Sequence, residues 1–406
     1  MISNGGQKRF PRSENLDPGH TESRAAFEQS QVLCAMLLGM RKHALMALLA
    51  LLCALPLTAQ LDRSDIATQN KCKEYLKTTL PTEASDVTQP KLWPSCDSHK
   101  LYSGIGVKVD YSAARQCAWT ERLASQAGIE PRYLMARDFG GAAMLTVLYA
   151  NGEGVKKSLP LALRFACEAG GAPAEISIRL KHIESLDAKT HTSIVKFDFC
   201  DDITSGFMEG SCAAYGSELA DQRRSAQLNA VSAQMSSAQQ VAFVQLVKEE
   251  EAYARAHATG EIDLSGTARA MYQIDAEQTL RDDFLAAIQS FESGRYPSGS
   301  ERIYRDADAR LNSAYRKALS NAEEHIRDYG AVQPSGIRDA ERAWLKYRDA
   351  WIDLAKLRYA NLSPEALLAL LTNDRTSILD GSFCDMDAVD GPCAQQGDTW
   401  KPKPLP

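Results

Sequence analysis

The sequence predicts an all-α, disulfide-bonded protein: a short helical-repeat solenoid followed by antiparallel helical hairpins or a bundle. Three observations carry the prediction. Ile337, Ala340, Trp344, Tyr347, Trp351 and Leu354 follow one another at steps of three and four, the spacing that lines one face of a helix. A glycine turn, Tyr102-Ser-Gly-Ile-Gly-Val107, returns as Tyr149-Ala-Asn-Gly-Glu-Gly-Val155, followed each time by an alanine-rich stretch (from Ala114 and from Ala162). Glycines make such a turn tight, and alanines let the flanking helices approach closely. Finally, eight cysteines stand past residue 60, an even number behind an export signal, which reads as disulfides formed in an oxidising compartment.

Length and composition set the bounds. A chain of 406 residues, 44% hydrophobic and 24% charged, is an ordinary globular protein with room for two or three domains. The formal net charge is -6; residues 1–59 carry +2, leaving -8 on the rest. A mildly acidic body argues against nucleic acid as a partner, because phosphate binding wants a basic face. It suits a cationic protein partner, and it equally serves plain solubility.

In chain order, residues 1–39 read as a polar upstream extension, with Met40 as the biological start. Met40-Arg-Lys-His opens a signal peptide over 40–59, with an apolar run from Ala44 to Leu57 and cleavage expected after Ala59. The run is too short for a membrane span, so none is expected after cleavage. Cys53 lacks the small preceding residues of a lipoprotein site. Residues 60–92 are a connector with one short helix. Residues 93–188 hold the two glycine turns. The second copy, Gly141-Ala-Ala-Met-Leu-Thr-Val-Leu-Tyr to Cys167-Glu-Ala-Gly-Gly, resembles the Sel-like repeats related to tetratricopeptide repeats, and such solenoids usually bind protein. Residues 189–300 begin with a brief β-like alternation at Ile194, Val195, Phe197 and Phe199 and continue as a helical domain. Residues 301–380 form a further helical domain after the turn-rich Ser293-Gly-Arg-Tyr-Pro-Ser-Gly-Ser300. There Tyr304, Ala307, Leu311, Ala314, Ala318, Ala322 and Ile326 stripe one helix, and the Trp344 helix, capped by Ser335, is expected to fold back antiparallel upon it. Ser363 caps a third helix with Pro364 at its first position. Residues 381–406 are an irregular tail.

The eight cysteines are Cys72, Cys96, Cys117, Cys167, Cys200, Cys212, Cys384 and Cys393. Eight allow 105 pairings; the cheapest local ones are Cys200–Cys212 and Cys384–Cys393. Zinc sites want cysteines two residues apart, and none are so spaced, so no metal is expected.

Asp308-Ala-Arg-Leu-Asn-Ser-Ala-Tyr315, Ala340-Glu-Arg-Ala-Trp-Leu-Lys-Tyr-Arg-Asp-Ala350 and Leu371-Thr-Asn-Asp-Arg-Thr-Ser-Ile-Leu379 resemble, in order, the three segments of the LprI lysozyme-inhibitor family. The resemblance covers about 80 residues. It departs from the family pattern at Glu341, where the family usually has Gln, and at Trp351, near where a cysteine usually follows. Gln240-Val-Ala-Phe243 echoes Glu341-Arg-Ala-Trp344, as though residues 200–256 were a second, diverged copy. The resemblance implies a protein partner, a basic lysozyme, with Lys346, Tyr347, Arg348 and Asp349 as candidate contacts. Leu311, Trp344 and Trp351 read as structural core, and packing between helices also explains Tyr347.

Nothing in the chain spells catalysis. The seven histidines are scattered, with no zinc-binding pair around a glutamate. The nucleophile elbow, phosphate loop and dinucleotide fingerprint are all missing. The carboxylate clusters Asp201-Asp202 and Glu249-Glu250-Glu251 read as solvated faces. The chain therefore reads as a non-enzymatic, cofactor-free binding protein, exported to the bacterial periplasm or beyond. It inhibits a lysozyme-like hydrolase through 301–379, or it is an envelope scaffold acting through its Sel-like repeats.

Overall fold

The computed structural model describes residues 63–84, 91–131, 134–186 and 196–382. The expected export signal, the extension before it and the tail with Cys384 and Cys393 lie outside the described residues. Among the described residues there are thirteen α-helices, two short 3-10 turns and no strand. No described helix is long and apolar enough to cross a membrane.

Seven helices build the first core: α1 (Arg63–Tyr75), α2 (Ser98–Ser103), α3 (Tyr111–Gln126), α4 (Leu134–Phe139), α5 (Ala142–Asn151), α6 (Leu159–Ala169) and α7 (Pro173–Ser185). Helix α5 is buried from Ala143 to Ala150 and runs through the middle. The two glycine turns close alike. Helix α2 ends on Gly104 and α5 on Gly152, both left-handed, each donating its N–H into the last helical turn. The Asp110 N–H then reaches back to Leu101 O and the Ser158 N–H to Tyr149 O, both at 2.9 Å. Gly154 is obligatory: its φ is +63°, and a Cβ there would lie 2.5 Å from the Tyr111 carbonyl. The buried Glu121 carboxylate stitches α2, α3 and α5 by accepting from Ser98 N (3.0 Å), Ser98 Oγ (2.5 Å) and Gly141 N (2.8 Å).

Three disulfides brace this core. Cys72–Cys167 ties α1 to α6, Cys96–Cys117 ties the segment before α2 to α3, and Cys200–Cys212 closes over the following turn. The described part of the β-like stretch is no strand. Phe197 and Phe199 are buried in the first core, and Phe199–Asp202 is a 3-10 turn. The Asn151 amide satisfies the extended backbone as a neighbouring strand would, accepting from Phe197 N at 2.8 Å and donating to Phe197 O at 2.9 Å.

Six longer helices build the second core: α8 (Gly206–Ser232), α9 (Ser237–Gly260), α10 (Arg269–Glu292), α11 (Glu301–Glu324), α12 (Pro334–Arg358) and α13 (Pro364–Ser382). One hydrophobic cluster runs from Leu228 to Leu379, so the turn at 293–300 divides no core. The helices form two trios of like build. The outer helices of each trio run parallel: α8 beside α10, with Gly210 on Ala270 and Gln227 bonded to Gln289, and α11 beside α13, with Gly299 on Ala366 and Arg310 bonded to Asn373. The middle helices, α9 and α12, pair antiparallel with each other, from Gly260 against Gly336 at one end to Gln239 on Leu357 at the other.

This pairing differs from the expected α11–α12 hairpin. The stripe of α12 is aromatic and needs a deep apolar face. It finds one in Phe243, Leu246 and Tyr253 of α9 and in Phe284 and Phe291 of α10. The stripe of α11 is mostly alanine (Ala307, Ala314, Ala318, Ala322), which suits close approach by α13. The start of α12 also differs: Gln333 is the N-cap without a side-chain bond, Pro334 takes the first turn, and Ser335 is already helical. Proline presets the helical φ and lacks the N–H that a cap would satisfy. Ser363 does cap α13, its Oγ accepting from Ala366 N at 3.1 Å.

Candidate partner-binding surface

Helix α12 sorts the expected contact residues by facing. Trp344, Tyr347 and Trp351 point inward: Tyr347 stacks on Tyr253 with centroids 5.6 Å apart, and Trp351 meets Phe284 and Phe291 edge-on at 5.7 and 5.3 Å. Burial holds the Tyr347 phenol well above its ordinary pKa. It presents nothing to a partner in this arrangement. Leu311 is buried on α11. Lys346 and Asp349 are exposed. Arg348 is half-buried, its guanidinium 5.5 Å from the Trp344 ring and bonded to Asp349 Oδ1 at 2.7 and 3.0 Å. With Asp349 in water, that local pair is worth little to stability.

Toward the Gln239–Leu357 end, α9 and α12 leave a groove lined by Val241, Val244, Ala350, Asp353 and Leu357. Val241 and Val244 are 73% and 64% exposed, an unusual pair of valines to leave in water.

At the opposite end the turn joining α11 to α12 projects outward. Tyr329 is 79% exposed and Ile326 52%. The turn is nonetheless held firmly. Gly330, at φ +78°, lies against Ser265 so closely that a Cβ would come within 2.4 Å of its backbone. Its carbonyl accepts from Leu264 N at 2.9 Å, and Gln333 Nε2 donates to Ala331 O at 3.0 Å.

Beneath these loops lies a buried ionic network. Arg375 of α13, fully buried, grips Glu261 with two bonds of 2.6 and 2.7 Å and reaches Glu341 of α12 at 3.0 Å. His257 Nδ1 lies 2.9 Å from Glu261 Oε2, the oxygen that also accepts from Arg375 Nη1. Burial alone would raise the Glu261 pKa, but the bonds and charge of Arg375 and His257 overcome it and hold the carboxyl below its usual range. Burial alone would lower the Arg375 pKa, but Tyr253, Glu261 and Glu341 around it hold the guanidinium well above its own ordinary value. Glu261 closes α9 and opens the 261–268 loop on which Gly330 rests. Arg375 and Glu341 therefore position the projecting turn from below. The sequence carried a signal for this: Arg375 stands four residues from both Leu371 and Leu379, a cation in an apolar stripe. Glu261 and His257 had no comparable mark.

Residues 300–379 match the family model described as Lysozyme inhibitor LprI. The matched span takes in α11, α12, the turn between them and most of α13. The chain is also similar to an uncharacterized protein of Rhizobium meliloti (strain 1021), 31% identical over 91 residues, which cover 20% of this chain and 66% of that protein. The chain thus spans just under two thirds of that relative. No solved structure matches it. Against the LprI pattern, Glu341 in place of Gln supplies Arg375 with a second carboxylate. At the other departure, Trp351 fills the interior beside Phe284 and Phe291.

Proposed function

We propose that the chain is an exported cell-envelope protein that inhibits a lysozyme-like peptidoglycan hydrolase by occluding it, and that the LprI segment makes the contact. The observation that carries this reading is that the family match takes in α11, α12, their projecting turn and all but the last three residues of α13. Three disulfides fit an oxidising compartment, outside the cytoplasm. An acidic body suits a basic hydrolase. The test is lysis of peptidoglycan by a panel of lysozymes, titrated with the oxidised chain from residue 60. Dose-dependent inhibition is expected at micromolar protein or below; unchanged lysis across the panel sinks the reading.

One feature favours a second role. The paired glycine turns of the first core support Sel-like repeats, and a solenoid of that kind would hold another envelope protein. In that case a partner captured by crosslinking would map to residues 93–188.

A further inference from the structure

We propose that the turn joining α11 to α12, residues 325–333, is the element that enters the hydrolase's substrate cleft, with Tyr329 and Arg327 as its leading side chains. This rests on the inhibitory reading above and specifies its geometry.

Shape comes first. A hydrolase acting on a polymer binds it in a concave site, and a concave site is filled by something convex. The α9–α12 groove is concave, and the exposed face of α12 is a helix surface where Arg348 is already bonded to Asp349. The 325–333 turn is convex, and Tyr329, 79% exposed, is the more exposed of its two large apolar side chains.

Chemistry comes next. Glycoside hydrolases work with a pair of carboxylates flanking the scissile bond. An inhibitor that occupies such a site gains from a cation placed beside an apolar anchor. Arg327 is exposed and forms no ion pair among the described residues, whereas its neighbour His325 is bonded to Asp328 at 3.0 Å. A free guanidinium matches a carboxylate with two parallel bonds. Tyrosine and arginine are also the side chains that most often carry binding energy when buried at an interface, with Ile326 here adding apolar area beside them.

Rigidity comes last. An exposed loop that must be ordered on binding loses affinity. Here the ordering is already done. Gly330 is wedged on Ser265 and bonded to Leu264, Gln333 ties Ala331, and the loop underneath is anchored by Glu261 in the grip of Arg375. Residues of the family motif thus act as positioning residues for the turn.

The test uses the full oxidised chain and a lysozyme that it inhibits. Tyr329→Ala and Arg327→Ala are each compared with Val244→Ser in the groove and Lys346→Ala on α12. All four side chains are exposed, so circular dichroism and thermal midpoints should stay unchanged. The turn variants should weaken inhibition roughly 10- to 100-fold and the groove and α12 variants less than about 3-fold. A soluble oligosaccharide substrate should compete with the wild-type protein for the hydrolase. Wild-type inhibition that survives both turn substitutions, or that the oligosaccharide does not relieve, overturns the assignment of the turn and leaves the inhibitory reading standing. If the wild type inhibits no hydrolase, both fall together.

Discussion

Arg375 is the centre of the second core's buried ionic network, and its removal has a definite expected cost. Arg375→Met leaves Glu261 buried with His257 as its remaining partner and withdraws the cation facing Glu341. Breaking a buried pair from one side costs about 3–5 kcal/mol, because the remaining charge is uncompensated. Denaturant unfolding should show that loss, and adding Glu261→Gln should return most of it. Because the carboxyl of Glu261 is depressed in the folded state, its contribution is present above the unfolded carboxylate value of about 4.3. It is lost as the pH falls through the lower folded value. Glu250 has the opposite sign. It is buried on α9, its Oε1 has no hydrogen-bond partner among the described residues, and burial pushes its pKa up to about 8, against the pull of Arg281. The folded state therefore holds this proton more tightly than the unfolded chain. Stability drains away as pH rises from about 4.3 toward 8. Glu250→Gln should raise the melting temperature at pH 8.5, by the equivalent of about 2–4 kcal/mol, and change it little at pH 5. A gain of the same size at both pH values would show that the charge is not the cause. The sequence placed Glu250 on a solvated face within Glu249-Glu250-Glu251, because a run of like charges says nothing about which member turns inward.

At the scale of elements, what was legible is the buried face, and what was not is the partner across it. The spacing from Ile337 to Leu354 marked six residues of α12 that are all buried and passed over Ala350 between them; the other stripe held for α11 from Ala307 to Ala322, while Ile326 lies past the helix end and is 52% exposed. Periodicity cannot say whether a stripe meets the next helix or one a hundred residues away. The answer lay in side-chain size, aromatic against aromatic and alanine against a close neighbour. The crossing of α9 and α12 shows how tightly this is set. A Cβ on Gly336 would lie 2.4 Å from the Gly260 carbonyl and 2.7 Å from its Cα, backbone that cannot swing aside. Gly336→Ala should destabilise by about 1–3 kcal/mol by prising the helix ends apart. Gly216, inside α8, is the contrast: a Cβ there meets nothing within 4 Å, and Gly216→Ala should stabilise by up to about 1 kcal/mol through helix propensity. Thermal melts of the two variants should therefore move in opposite directions. The glycine turns were legible in full, since a left-handed residue at a helix end has few ways to be written.

For the whole molecule, the question is how far two cores joined by one helix share their stability. Helix α8 packs Met208, Cys212 and Tyr215 on the first core and Leu228 within the second. All three disulfides of the described residues sit on the first core or at its edge. The Cys72–Cys167 bridge spans 95 residues, and constraining a loop near that length stabilises by about 4–5 kcal/mol in the chain-entropy account. The second core stands instead on an aromatic interior and the Arg375–Glu261 pair, neither of which a reductant touches. Reduction with dithiothreitol should therefore strip hydrogen-exchange protection from α5 and α6 while α12 and α13 keep theirs. The Tyr329 turn rests on loops of the second core alone, so the inhibition proposed for it should survive reduction even as the first core loosens. Uniform loss of protection would instead make α8 a rigid coupling, and the two cores a single cooperative unit.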